Sequence, residues 1–287
     1  MKRQRGEPSN LAGGELDDLL STREVARLAG VGPSAIKRWS DAGLLACQKT
    51  AGGHRRFARA EVERLVRHQA AGDLRESDPW VDALLDARET FGISALLLAE
   101  RARTGAWHRV AERAGLAVAE LGRRWRAGTV SIADEHLASE RLARALARVG
   151  ESIPLSPEAP VALLTCAEED DHTLGLSLVE VVLREAGWST RWAGRRTPLV
   201  EVERLLGKGD VALLAVSASE ASADALGLRR QAEALGRRCR ALGVTLVLGG
   251  NGAWPERPRH GALVRSLGRL HELAVTERER RSGSPVA

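Results

Sequence analysis

The 287-residue sequence predicts a multidomain α + α/β protein: a winged helix-turn-helix, then a four-helix bundle, then a Rossmann-like (flavodoxin-like) parallel sheet. Three observations predict it. A capping box and a Gly-Gly hairpin signal frame two short helical stretches between Leu20 and Phe57. Residues 80–149 are rich in Ala, Leu, Arg and Glu at helical spacing, interrupted near Phe91-Gly92, Thr104-Gly105 and Gly128. After Pro160 the period changes, and apolar runs at Val161–Leu164, Val211–Val216 and Val244–Leu248 alternate with long helical stretches. The divisions that follow are a loose tail at 1–19, the winged helix-turn-helix at 20–70, the bundle at 78–150 and the sheet domain at 159–281.

Composition narrows the setting. With 44% hydrophobic and 28% charged residues the chain can bury a core and is not broadly disordered. Cys47, Cys166 and Cys239 lie far apart without a C-x-x-C pair, against a disulfide framework or a Cys-rich zinc site and in keeping with a reducing compartment. The basic start at Lys2, Arg3 and Arg5 leads into no apolar h-region, and no run of 18 apolar residues occurs, so a cytoplasmic protein with no membrane partner is expected. The net charge of +5 is unevenly held: residues 20–68 carry ten Lys or Arg against four Asp or Glu, leaving the other 238 residues at −1. That concentration is the electrostatic signature of one segment meeting a polyanion.

Each element of the first block has a local cause. Ser21-Thr22-Arg23-Glu24 is a capping box that starts a helix near Thr22, with Val25, Leu28 and Ala29 on one face and Gly30 at its end. Gly32-Pro33-Ser34 opens a second helix that runs through Trp39 and stops before Gly43. Leu44–Phe57 reads as a hairpin wing turning at Gly52-Gly53, and Arg59–His68 returns to helical spacing. Ser34, Lys37, Arg38 and Trp39 fall on a helix short enough for a major groove, and Lys49, His54, Arg55 and Arg56 on the wing, where phosphates or a minor groove would lie. The order of elements and the wing sequence Ala51-Gly-Gly-His-Arg-Arg-Phe57 resemble the DNA-binding domain of MerR-family transcription regulators. The resemblance implies that Trp39 and Phe57 are core residues, that Ser34, Lys37, Arg38, His54, Arg55 and Arg56 face double-stranded operator DNA, and that the chain binds a palindromic operator as a dimer.

In the sheet domain, Asp170-Asp171-His172-Thr173-Leu174-Gly175 follows the first expected strand and opens a helix, at the carboxyl end where such sheets hold ligands. Ser217 ends the third expected strand, and Gly249-Gly250 follows the run that begins at Val244. This series, D-x-H-x-x-G, then S-x-L, then G-G, resembles the cobalamin-binding module of methionine synthase, the mutases and related corrinoid proteins. By that resemblance His172 is the lower axial ligand of cobalt in place of the cofactor's own nucleotide base, and Asp170 orients its imidazole through the other nitrogen. Gly175 would let the backbone approach the corrin, Ser217 would lie near the displaced nucleotide tail, and Gly249-Gly250 would leave a groove for that tail. Ser219 stands where the pattern has Leu, which alters the expected packing of the tail.

The bundle adds Trp125 at the end of one helix, a turn at Gly128–Ser131, and Glu135-His136 at the start of the next. The pattern W-x9-E-H resembles the upper-face cap of CarH/LitR-type regulators, which implies adenosylcobalamin as cofactor and contacts from Trp125, Glu135 and His136 to its 5'-deoxyadenosyl group. Arg126 occupies a position where that family commonly has His, so the usual upper ligand after illumination is missing. His108, after Trp107, reads as a surface histidine. Together the three blocks imply a light-responsive transcriptional repressor, not an enzyme, whose homo-oligomerisation as dimer or tetramer and operator binding depend on adenosylcobalamin. Alternatives are a light-independent regulator sensing cobalamin or another tetrapyrrole, and a corrinoid methyl carrier, which would have no use for a basic winged helix-turn-helix.

Overall fold

The computed structural model describes residues 19–29, 32–41, 45–50, 52–60, 62–63, 78–87 and 89–283. Contacts divide it into two compact units: the described residues up to Asp82 with Glu120–His136, and Ala83–Ala119 with Leu137 onward.

In the first unit, strands β1 (Leu19–Ser21), β2 (Gln48–Lys49) and β3 (Arg55–Ala58) form an antiparallel sheet in the order β1-β3-β2. Helices α1 (Thr22–Leu28) and α2 (Pro33–Asp41) complete the motif. The capping box forms as the sequence dictates: the Ser21 backbone N–H donates to Glu24 Oε2 at 2.7 Å and the Glu24 N–H to Ser21 Oγ at 3.3 Å. Those two bonds, the backbone donor first, hold the Glu24 carboxyl below the usual carboxylate range. The wing turns where Gly53 adopts φ +77°, with Thr50 N–H bonding the His54 carbonyl at 2.9 Å. Leu20, Val25, Ala26, Ile36, Leu45, Phe57 and Val62 form one buried cluster, which places Phe57 in the core as expected. Strand β1 was not expected. It is three residues long, too short to show an alternating pattern, and its last residue is also the N-cap of α1. The tail to residue 18, Gly30, Gly43 and the helix expected beyond Glu63 lie outside the described residues.

Between 79 and 151 the described residues form helices α3 (Pro79–Asp86), α4 (Thr90–Thr104), α5 (Trp107–Ala127) and α6 (Ile132–Glu151). Gly105 (φ +72°) ends α4 and Gly128 (φ +76°) ends α5, both in the left-handed conformation that glycine adopts without steric cost. Ser131 caps α6, accepting from the Asp134 N–H at 3.1 Å. Helix α3 ends at Asp86 and α4 begins at Thr90, so Phe91-Gly92 sit in the opening turn of α4.

The second unit carries five parallel strands in the order β5-β4-β6-β7-β8. These are β4 (Val161–Cys166), β5 (Ser189–Gly194), β6 (Val211–Ser217), β7 (Thr245–Gly249) and β8 (Ala262–Val264), joined by helices α7 (Leu174–Glu185), α8 (Leu199–Leu206) and α9 (Ala225–Leu242) and followed by α10 (Leu267–Ser282). The three apolar runs are the three inner strands, β4, β6 and β7, which are covered on both faces. The two strands without an apolar run are the edges: β5 exposes Arg191 and Trp192, and β8 has only three residues. No helix of the described residues is long and apolar enough to cross a membrane.

Trp188, at the entrance to β5, is fully buried, and its indole Nε1 donates to the Ala274 carbonyl of α10 at 3.0 Å. Trp188→Ala should therefore destabilise this unit by about 3–5 kcal/mol through cavity formation and the orphaned carbonyl. Denaturant unfolding followed by far-UV circular dichroism measures the loss.

Candidate ligand site and nucleic-acid interface

The carboxyl edge of the parallel sheet brings together the loops after β4, β6 and β7. In the first, Asp170 is buried although it carries a charge, and four donors account for that. Its Oδ1 accepts from the His172 backbone N–H at 2.8 Å and faces His172 Nδ1 at 2.9 Å. Its Oδ2 accepts from the Ser222 hydroxyl at 2.6 Å and from the Ser219 backbone N–H. Burial by itself would raise the Asp170 pKa; the bonds from Ser222, Ser219 and His172 outweigh it and hold the carboxyl at about 2.

That ionised carboxylate sets the histidine tautomer. A carboxylate oxygen only accepts, so His172 Nδ1 is the donor, and in the neutral ring the lone pair is then on Nε2. Ser219 Oγ lies 3.1 Å from the same Nδ1. The side chain is 64% exposed, so an oriented imidazole with a free ligating nitrogen stands at the sheet edge. Ser219 and Ser222 are the site residues that sequence reasoning missed. Ser219 was read only as a departure from Leu, and Ser222 carries no spacing signal; both matter because the β6 loop folds back onto Asp170.

Beside this pair a cavity of about 260 Å³ is lined by Gly115, Val118, Gly175, Ser217, Gly249 and Gly250. The register aligns Ser217 with Gly249 and Cys166 with Ser217, so the strand ends lie level. A Cβ on Gly175 would sit 3.1 Å from Ser217 Oγ. Gly250 has φ +81°, and a Cβ there would collide with the Ala218 carbonyl oxygen. The absent side chains therefore keep this groove open. The Gly249-Gly250 segment is fixed by Trp254, whose Nε1 donates to the Gly249 carbonyl at 2.8 Å, and by Arg265, whose Nη1 donates to the Gly250 carbonyl at 2.6 Å. A larger cavity of about 770 Å³ opens at the His172 loop and includes Asp171, His172, Arg230 and Arg237.

Trp125, Glu135 and His136 belong to the other unit. Trp125 is half-buried near the end of α5, with its carbonyl accepting the Gly128 N–H at 2.9 Å; Arg126 is exposed. Glu135 and His136 follow Ser131 in the first turns of α6, His136 Nε2 lying 3.6 Å from Glu135 Oε2 with its side chain 71% exposed. In the same unit Ser34 and Lys37 are exposed on α2, His54 is exposed in the wing turn, and Arg55 and Arg56 are half-buried on β3. The side chains of Arg38 and Trp39 lie outside the described residues. His108 departs from its sequence reading: it is half-buried, held at 2.9 Å from Glu185, not a surface histidine.

Fold and site together define a protein with an N-terminal helix-turn-helix and a Rossmann-like parallel sheet bearing an aspartate-oriented histidine at its carboxyl edge. Residues 19–70 match the helix-turn-helix domain family. The chain is 31% identical over 85 residues to the HTH-type transcriptional repressor CarH of Myxococcus xanthus, covering 30% of this chain and 28% of that protein. It is 32% identical over 74 residues to the HTH-type transcriptional repressor CarA of the same organism, covering 26% of each. The matched segment thus spans under a third of either relative. By structure, the chain is similar to the monomethylamine corrinoid protein of Methanosarcina barkeri, at TM-score 0.55 and 19% identity over 69% of this chain and 96% of that one, which establishes a shared fold.

The Asp170 network carries a pH dependence with a definite sign. The folded carboxyl titrates at about 2 against an ordinary 3.8, so its stabilisation is complete above about pH 4 and is lost as the pH falls through 2. Asp170→Asn should remove that acid-side slope and lower stability at neutral pH by about 1–3 kcal/mol, because the donors of the His172 and Ser219 loops lose their acceptor. Acid titrations of both proteins by circular dichroism check it, and parallel curves would mean that Asp170 is not the titrating group.

Proposed function

We propose that the chain is a cobalamin-binding, DNA-binding transcriptional repressor in which His172 ligates cobalt and the helix-turn-helix reads an operator. The single observation that carries this reading is the Asp170–His172 pair, in which Asp170 orients the imidazole through Nδ1 and leaves Nε2 without a contact to that carboxylate, beside a groove kept open by Gly175 and Gly250. The donor set suits a borderline metal, and the groove suits a slender tail. The similarity to CarH and CarA and the fold shared with a corrinoid protein support the same reading. Ser219 Oγ, bonding Nδ1, gives the imidazole a second anchor where the family pattern has an apolar residue.

The finer reading is that the cofactor is adenosylcobalamin, the protein a homo-oligomer, and the signal light. When bound, adenosylcobalamin supplies a photolabile cobalt–carbon bond. Trp125 would offer an aromatic face, and Glu135 with the neighbouring His136 polar groups, to hold the adenosine. A second reading, in which cobalamin is sensed without light, is favoured by the exposed Arg126 at the position where the family has His.

Two measurements test these readings. Purified protein loaded with adenosylcobalamin should give a base-off, histidine-ligated absorption spectrum, and His172→Ala should weaken binding by about 10- to 100-fold or leave the cofactor base-on; an unchanged spectrum would exclude His172 as the ligand. Operator binding in the dark and after green light, with gel filtration alongside, separates the light-dependent reading from the light-independent one. In the same titrations Arg56→Ala should weaken binding to all sequences alike and lower the salt slope by about 1, as expected of a phosphate contact.

A further inference from the structure

Three side chains of metal-ligand type converge at a place to which the proposed function gives no role. His108 lies in the first turn of α5, Glu185 is the last residue of α7, and His271 lies in the second turn of α10. His108 Nδ1 is 2.9 Å and His271 Nε2 is 3.8 Å from the same Glu185 Oε2. One donor atom from each residue lies within 4.8 Å of the other two. The side chains are only 21%, 14% and 25% exposed for His108, Glu185 and His271, so the cluster is recessed yet reachable.

We propose that His108, Glu185 and His271 form a binding site for a divalent transition-metal ion of the zinc, copper or nickel type, which would tie α5, α7 and α10 together.

The geometry is close to what such an ion needs. With metal–nitrogen and metal–oxygen bonds of about 2.1 Å, neighbouring donors in a tetrahedral shell stand about 3.4 Å apart. The two observed separations from Glu185 Oε2 bracket that value. The carboxylate is held in place: Oε1 accepts the Trp107 backbone N–H and Oε2 the His108 N–H at 2.8 Å, so Glu185 caps α5 and cannot swing away. A metal ion would replace the hydrogen-bond contact between His108 Nδ1 and Glu185 Oε2. The two imidazoles stack at 4.3 Å between centroids and 29° between planes, an arrangement unfavourable for two cations. Burial first, and then the His108 charge, lowers the His271 pKa, favouring the neutral ring that can ligate.

The donor set also selects the ion. Arg101 Nη2 lies 3.9 Å from Glu185 Oε1 and offsets part of the carboxylate charge, so two imidazole nitrogens must supply much of the affinity. That disfavours calcium and magnesium, which require several oxygens, and favours the metals that imidazole suits. The site is independent of His172, and its failure would leave the cobalamin reading untouched.

Calorimetric titration of the untagged, cobalamin-free full chain with zinc chloride tests the proposal. One equivalent should bind, with at least a tenfold loss of affinity in both His108→Gln and His271→Gln and none in His172→Ala. Glu185 is left intact because it also caps a helix. Nickel-induced broadening of histidine ring resonances in the unaltered protein provides a readout that needs no variant: His108 and His271 should broaden first, with His172 little affected. Absence of zinc binding, binding that both Gln variants retain, or broadening confined to His172 would each overturn the assignment.

Discussion

The carboxyl edge of the parallel sheet depends on one buried charge. Asp170 is ionised in a place where an unsatisfied carboxylate would cost several kcal/mol, and four donors from two loops compensate it. Two of these donors belong to His172 itself, and two come from the loop after β6, which is thereby drawn against the loop after β4. The same bonds fix the imidazole's tautomer and leave Nε2 outward. Charge burial, loop closure and imidazole orientation are one interaction, so none can be altered alone.

Space at that edge is created by omission. The inner strands β4, β6 and β7 end level. Gly175 and Gly250 are the positions where a Cβ meets an adjoining loop or strand end, and Gly250 also needs its positive φ. Trp254 and Arg265 then hold the carbonyls of Gly249 and Gly250, which keeps the glycine-rich segment in one conformation.

The cluster at Glu185 repeats the theme with a different balance. There too a carboxylate accepts backbone N–H groups and fixes an imidazole, but a second histidine approaches the same oxygen and an arginine the other. Asp170 faces one histidine, whereas Glu185 lies between two.

Much of this was legible in the residues. The capping box at Ser21 and Glu24, the Gly53 turn, and the apolar runs of β4, β6 and β7 are local or periodic signals, and local chemistry suffices to form them. The spacing of Asp170, His172, Gly175, Ser217, Gly249 and Gly250 likewise placed those residues at the carboxyl ends of strands. Edge strands β5 and β8 and the short β1 carried no such signal, because an edge needs no apolar run and three residues show no period. What only the tertiary structure decided are the pairings across long stretches of chain: Ser219 and Ser222 on Asp170, and His108, Glu185 and His271 as one group. Sequence specifies which side chains a segment offers and in what local conformation, but which distant polar groups come to satisfy a buried charge is set by how the loops and helices pack around it.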